Sequence, residues 1–259
     1  MKMNMGKKLA TFWSLIMTAT VALSAERVVE ADLHQEVTDA FINPDQASSL
    51  PRVLIIGDSI SIGYTDPVRN DLKGIAEVFR PPVNCQHSGY GVEHINAWIG
   101  TGKWDVIHFN FGIWDTHLLD SKGQLVSGGL EGNTNLRAKG IRIRYTPEQY
   151  QQNLAQIIEI LKRTGAPLIW ASTTPIMFRT GARLEVIPAY NRVAADLMKT
   201  EGIAIDDLYS FVLPQVKEWQ TPDQCHFNAL GNKHLGKQVS ESIRRAIEKN
   251  TPSPSTKKP

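Results

Sequence analysis

Short unbroken apolar runs alternate along the chain with longer stretches in which apolar residues recur every third or fourth position. The runs read as strands buried on both faces, and the periodic stretches as helices packed over them. Strand-like runs occupy 53–56, 77–80, 105–111, 167–172 and 203–206. Helical spacing covers 64–72, 92–99, 187–199, 208–216 and 228–248. The clearest helix opens on Thr146-Pro147-Glu148-Gln149, where Thr146 suits the N-cap, Pro147 the first turn, and Gln149 a capping box. Tyr150, Leu154, Ile157 and Leu161 form its apolar stripe, and Gly165 ends it. Regular strand–helix alternation predicts an α/β fold. Right-handed crossovers then give a three-layer α/β/α sandwich around a mostly parallel five-stranded sheet. Residues 116–143, rich in Gly and Asn, interrupt the alternation as a functional loop or a small hairpin insertion.

Both ends fall outside this pattern. Lys2, Lys7 and Lys8 precede an apolar run over 9–23, and the small residues Ser24 and Ala25 follow. That is the layout of a signal peptide over 1–25; the run is shorter than a retained span needs. A polar leader over 26–50, one globular domain over 51–249 and a Pro-, Ser- and Lys-rich disordered tail over 250–259 complete the expected organisation. The expected location is secreted or periplasmic, with no stable membrane insertion after cleavage. The whole chain has 28 basic and 26 acidic residues. Without the three leading lysines it is close to neutral, so no basic surface argues for nucleic acid.

Chemistry concentrates where the first strand ends, at Gly57-Asp58-Ser59-Ile60. A serine at the carboxyl end of a parallel strand, opening a helix, has its own N–H and the helix dipole directed at whatever binds there. Serine is a weak nucleophile until a base takes its proton, and that base needs an orienting partner. Asp223-Gln224-Cys225-His226 supplies both, three residues apart on a turn before the last helix. An oxyanion hole needs further donors. Ser59 N–H is one; Gly89, in the loop after the second strand, and the Asn110 amide, at the end of the third, are the others. Taken together, the set resembles the SGNH (GDSL-type) hydrolases. Gly57-Asp58-Ser59-Ile60 matches the nucleophile block, Asn84 with Gly89 five residues on matches the second, and Asp223-x-x-His226 the last. The resemblance implies a flavodoxin-like fold, a Ser59–His226–Asp223 triad and no metal or other cofactor. The third block departs from Gly-x-Asn-Asp: it reads Gly112-Ile113-Trp114-Asp115, with Trp at the Asn position and Asn110 as the nearest substitute. No G-x-S-x-G elbow or G-x-G-x-x-G turn competes, and the remaining histidines lack metal-ligand spacing.

Trp114 and Trp219 fall beside the predicted site as candidate substrate-binding aromatics, with core packing as the alternative for each. Arg142, Arg144 and Arg179 read more readily as solvated surface than as substrate contacts. Cys85 and Cys225 lie in the two loops that the triad would bring together, so a Cys85–Cys225 bridge and two buried thiols both fit. The expected function is a secreted serine esterase acting on short-chain, O-acetyl esters of carbohydrate through an acyl-enzyme on Ser59. Lipase-like, arylesterase-like or acyltransferase activity is the alternative. A non-catalytic carbohydrate-binding protein retaining the fold is the reading from another class.

Overall fold

The computed structural model describes residues 39–45, 48–126, 140–176 and 182–250, with side chains in the last segment from Val186 onward. The expected signal peptide, most of the leader and the tail beyond Asn250 lie outside the described residues. The chain divides into two units, residues 1–39 and 40–259, and the second carries everything that follows.

Five strands form one sheet: β1 (Arg52–Ile56), β2 (Glu77–Phe79), β3 (Val106–Phe109), β6 (Leu168–Ala171) and β7 (Ala204–Asp206). Their spatial order is β2-β1-β3-β6-β7, and every pairing is parallel. The chain leaves β1 toward β2 on one side and returns to β3 on the other, so the sheet's switch point lies between β1 and β3. Ligand crevices of open α/β sheets form there, beyond the carboxyl ends of the strands.

Strand alternation splits the core in two. Val53 and Ile55 enter a cluster with Tyr64 and Val68 of α1 (Ser59–Asp71) and Leu235 and Val239 of α7 (Ala229–Asn250). Leu54 and Ile56 enter the opposite cluster with Ile95 of α2 (Ser88–Ile99), Leu154 and Ile157 of α3 (Pro147–Lys162), and Tyr190 and Met198 of α4 (Ala182–Glu201). The three-layer sandwich is the expected one. Between β7 and α7 the predicted 208–216 helix is broken into α5 (Leu208–Val212), a 3₁₀ turn carrying Pro214, and α6 (Val216–Trp219). A prolyl nitrogen has no proton to continue a helical ladder.

At the site, two helices begin earlier than periodicity predicts. In α1, Asp58 caps the helix by accepting the Ile60 N–H at 3.0 Å, which makes Ser59 the first helical residue. In α2, His87 Nδ1 accepts the Tyr90 N–H at 3.0 Å and starts the helix at Ser88. Their first turns hold Ser and Gly because other groups come close. A Cβ at Gly63 would stand 2.6 Å from Asn232 Oδ1, and one at Gly91 would stand 2.7 Å from the Phe111 ring. The insertion contains an antiparallel pair, β4 (Leu118–Leu119) with β5 (Arg142–Ile143); residues 127–139 between them lie outside the described residues.

The described end of the leader packs on the edge strand. Asn43 accepts the Arg80 N–H at 2.9 Å and donates to the Arg80 carbonyl at 2.9 Å. The Arg80 guanidinium is buried, donating to Thr65 Oγ1 at 2.9 Å and lying 5.3 Å from the Phe41 ring. Burial lowers its pKa to about 10, and the nearby Asp58 opposes that shift.

Candidate active site

Ser59 and the Asp223–His226 turn meet at the carboxyl end of β1, although 167 residues separate Ser59 from His226. His226 Nε2 lies 2.8 Å from Ser59 Oγ, and His226 Nδ1 lies 2.5 Å from Asp223 Oδ2. The turn between them is tightly wired. Asp223 Oδ1 accepts from Thr221 Oγ1 at 2.6 Å and from the N–H groups of Cys225 and His226 at 2.9 and 3.0 Å. The Thr221 N–H donates to the His226 carbonyl at 2.9 Å, and Gln224 adopts φ +60°, a left-handed backbone that keeps the turn compact. Partial burial works to raise the Asp223 pKa. The hydrogen bonds from Thr221, His226 and the two backbone amides outweigh it and hold the carboxyl far below its ordinary value. A permanent carboxylate only accepts hydrogen bonds, so His226 carries its proton on Nδ1 and offers the Nε2 lone pair to the Ser59 hydroxyl. This arrangement can take a proton from a serine as it attacks a carbonyl.

Two backbone amides of the expected oxyanion hole have no partner among the described residues. In the first turn of α2, Ser88 N–H bonds to the Asp115 carboxylate at 3.1 Å, Tyr90 N–H to His87, and Gly91 N–H to the His87 carbonyl. The remaining amide, that of Gly89, has no partner among the described residues. The Ser59 N–H is open in the same sense. The loop before α2 is drawn against the nucleophile turn by the Cys85 N–H, which donates to the Gly57 carbonyl at 3.2 Å.

Asn110 follows β3, with its N–H on the Ile56 carbonyl at 2.9 Å, level with the turn that carries Ser59. Its side-chain amide donates to the Ala171 carbonyl of β6 at 2.7 Å. Trp114 opens a 3₁₀ turn (Trp114–Thr116) and lies against His117, ring centroids 5.0 Å apart, half-buried on the α1–α7 side of the core.

Residues 55–234 match the model of the GDSL-like lipase/acylhydrolase family. The chain belongs to this family. As a GDSL-like acylhydrolase it is a carboxylic ester hydrolase. A comparison with curated proteins finds no match. Solved structures share its fold. An acetyl xylan esterase, AlAXEase, superposes with a TM-score of 0.58 at 15% identity, covering 74% of this chain and 99% of that one. A lipase/acylhydrolase from Enterococcus faecalis gives 0.56 at 21%, covering 76% and 96%. A carbohydrate esterase family 3 protein from Talaromyces cellulolyticus gives 0.56 at 13%, covering 78% and 100%.

Within this GDSL-like acylhydrolase, Asp115 is a residue to which the sequence reading assigned no role. It is fully buried, and its carboxylate accepts both the N–H and the hydroxyl of Ser88, the latter at 2.5 Å. Asn153 of α3 donates to the same hydroxyl at 2.9 Å. Asp115 thereby fixes the first turn of α2, and with it Gly89. Burial raises its pKa to about 7, against the lowering effect of the Ser88 hydrogen bonds. Its position as the last residue of the Gly-x-x-Asp block was the available signal. Tyr145, at the end of the insertion, was also passed over. Its N–H donates to the Asp115 carbonyl at 3.2 Å, and its side chain lies over Gly89.

Two alternatives that the sequence left open are decided. Trp219 is not a substrate platform. It is buried in the core, stacked on His234 at 4.5 Å with the rings 6° from parallel. One short helix turn places Trp219 inward. Cys85 and Cys225 do not bridge. Both are buried, in different core clusters: Cys85 beside Phe79 and Ile95, Cys225 beside Trp219 and Phe227. The two loops approach the site from opposite faces of the sheet, so the thiols end in separate cores. Burial pushes the Cys85 thiol up to about 12, so it is an inert packing group. Of the arginines, Arg142 is exposed, Arg144 is half-buried near Asp115 and His87, and Arg179 lies outside the described residues.

Proposed function

We propose that this acylhydrolase is a secreted serine esterase that removes O-acetyl groups from carbohydrate through an acyl-enzyme on Ser59. The observation that carries the reading is the continuous hydrogen-bonded relay from Ser59 Oγ through His226 to Asp223. As Ser59 attacks the ester carbonyl, its proton moves to His226 Nε2. Asp223 stabilises the imidazolium formed. The open amides of Ser59 and Gly89 receive the charge that develops on the carbonyl oxygen. The carbon–oxygen bond to the alcohol breaks as His226 returns the proton to it. Water, deprotonated by His226, then attacks the acyl carbon; the bond to Ser59 Oγ breaks, His226 returns the proton to that oxygen, and acetate leaves.

The substrate class rests on likeness. Proteins named acetyl xylan esterase and carbohydrate esterase share this fold over nearly their full length. A structure named lipase/acylhydrolase supports the second reading, hydrolysis of lipid esters. The near-neutral charge and the signal-like leader support export and a neutral substrate.

Turnover of p-nitrophenyl acetate against the butyrate and octanoate esters, and acetate release from acetylated xylan, test the proposal. Fast acetate release that disappears in Ser59→Ala is the expected result. A preference for octanoate would replace the carbohydrate reading with the lipid one. No turnover of any ester by the wild type would leave a binding protein that retains the fold.

A further inference from the structure

The site holds two open amides, and the departure in the third sequence block leaves Asn110 as the expected side-chain donor. Trp114 is packed against His117, and the Asn110 amide is anchored to the Ala171 carbonyl across the next strand. A different group stands beside the Gly89 amide. A Cβ built on Gly89 would lie 2.1 Å from the Tyr145 hydroxyl oxygen and 2.8 Å from the ring carbon that bears it. In a helix the Cα–Cβ bond tilts toward the N-terminus, the direction in which the unpaired first-turn N–H groups also point. The Tyr145 hydroxyl therefore stands at the mouth of α2, on the same side as the open Gly89 N–H. It makes no hydrogen bond among the described residues.

The position of this tyrosine is over-determined. Its N–H is held by the Asp115 carbonyl, while the Asp115 carboxylate holds Ser88 next to Gly89. Its carbonyl accepts from the Tyr190 hydroxyl. Its ring lies 5.5 Å from that of His87, the cap of α2. One residue, Asp115, thus sets Tyr145 and Gly89 against each other. We propose that the Tyr145 hydroxyl is the third oxyanion donor, completing with the Ser59 and Gly89 amides the hole for the tetrahedral intermediate. This rests on the esterase reading above. Tyr145 donates and keeps its proton throughout; burial, with the Asp115 carboxylate adding to it, raises its pKa and keeps it a donor.

Tyr145→Phe removes one oxygen and leaves the ring and every backbone contact in place. Loss of an oxyanion donor is expected to lower kcat for p-nitrophenyl acetate roughly 100-fold with KM little changed. The inhibition constant of a short alkyl trifluoromethyl ketone should rise by a similar factor, because the adduct it forms with a serine places its oxyanion in the hole. A wall residue would move KM and leave kcat alone. Gly89→Ala, whose methyl group displaces the hydroxyl, should lower kcat as well, and adding Tyr145→Phe to it should cost little more. If the wild type turns over and Tyr145→Phe retains kcat and ketone affinity within about twofold, Tyr145 is not an oxyanion donor, and the esterase reading stands. A wild type without turnover removes both.

Discussion

Each residue at this site acts through what its neighbours leave it free to do. Asp223 accepts four hydrogen bonds, so its charge is fixed and its only remaining task is to hold one imidazole nitrogen. Asp223→Asn keeps the shape of the turn and reverses the histidine tautomer. It is expected to lower kcat by about 10⁴, measured on p-nitrophenyl acetate. A loss under tenfold would show that His226 needs no carboxylate. Trp219 gives the contrasting case, two residues before the Thr221 that closes the same turn. Its ring is packed on His234 and Phe211 inside the core, so Trp219→Ala should cost about 3–5 kcal/mol in urea unfolding. A variant that lost substrate affinity with undiminished stability would restore the aromatic-platform reading.

At the scale of elements, the site is assembled from helix beginnings. Serine and glycine open α1 and α2, where a propensity reading ends a helix and the structure starts one. Small side chains let Asn232 and Tyr145 approach, and the side chains of Asp58 and His87 replace the missing backbone acceptors. α3 starts without such crowding, through the capping box of Thr146 and Gln149 that its sequence announces. Thr146→Ala should therefore lower stability by about 1 kcal/mol. Because Asn153 of this helix reaches Ser88, a drop in kcat with no loss of unfolding free energy would reveal that the cap tunes the site instead.

For the molecule as a whole, two buried carboxyls set the response to pH. Burial raises Asp58 to about 6 and Asp115 to about 7, both from an ordinary value of 3.8. The folded chain thus holds protons that the unfolded chain has lost between about pH 4 and 7, so these groups make stability fall as pH rises through that window. Asp223 acts in the opposite direction: its contribution is present above the ordinary carboxyl range and is lost below about pH 4, weakly because the side chain is nearly half exposed. The melting temperature should decline from pH 5 to pH 8, and Asp115→Asn should flatten that slope; an unchanged slope would exclude Asp115 as its source. Reductant should leave the melting temperature unchanged, since no Cys85–Cys225 bridge exists to break; a marked decrease would contradict the separate placement of the two thiols.

No helix among the described residues is long and apolar enough to cross a membrane. Local pattern by itself determined the five strands, their parallel sandwich and the chain positions of Ser59, Asp223 and His226. Runs of apolar residues and turn chemistry act over a few neighbours and survive in one dimension. Only the tertiary structure decided how the residues around Ser59, Asp223 and His226 are placed. Trp219 turned inward, the cysteines went to opposite faces of one sheet, and the Asn110 amide found a carbonyl on β6. Tyr145, from the far end of an insertion with no readable pattern, came to rest over Gly89. Such placements depend on contacts between residues distant in sequence, and the space each side chain occupies is set by what the others have already filled.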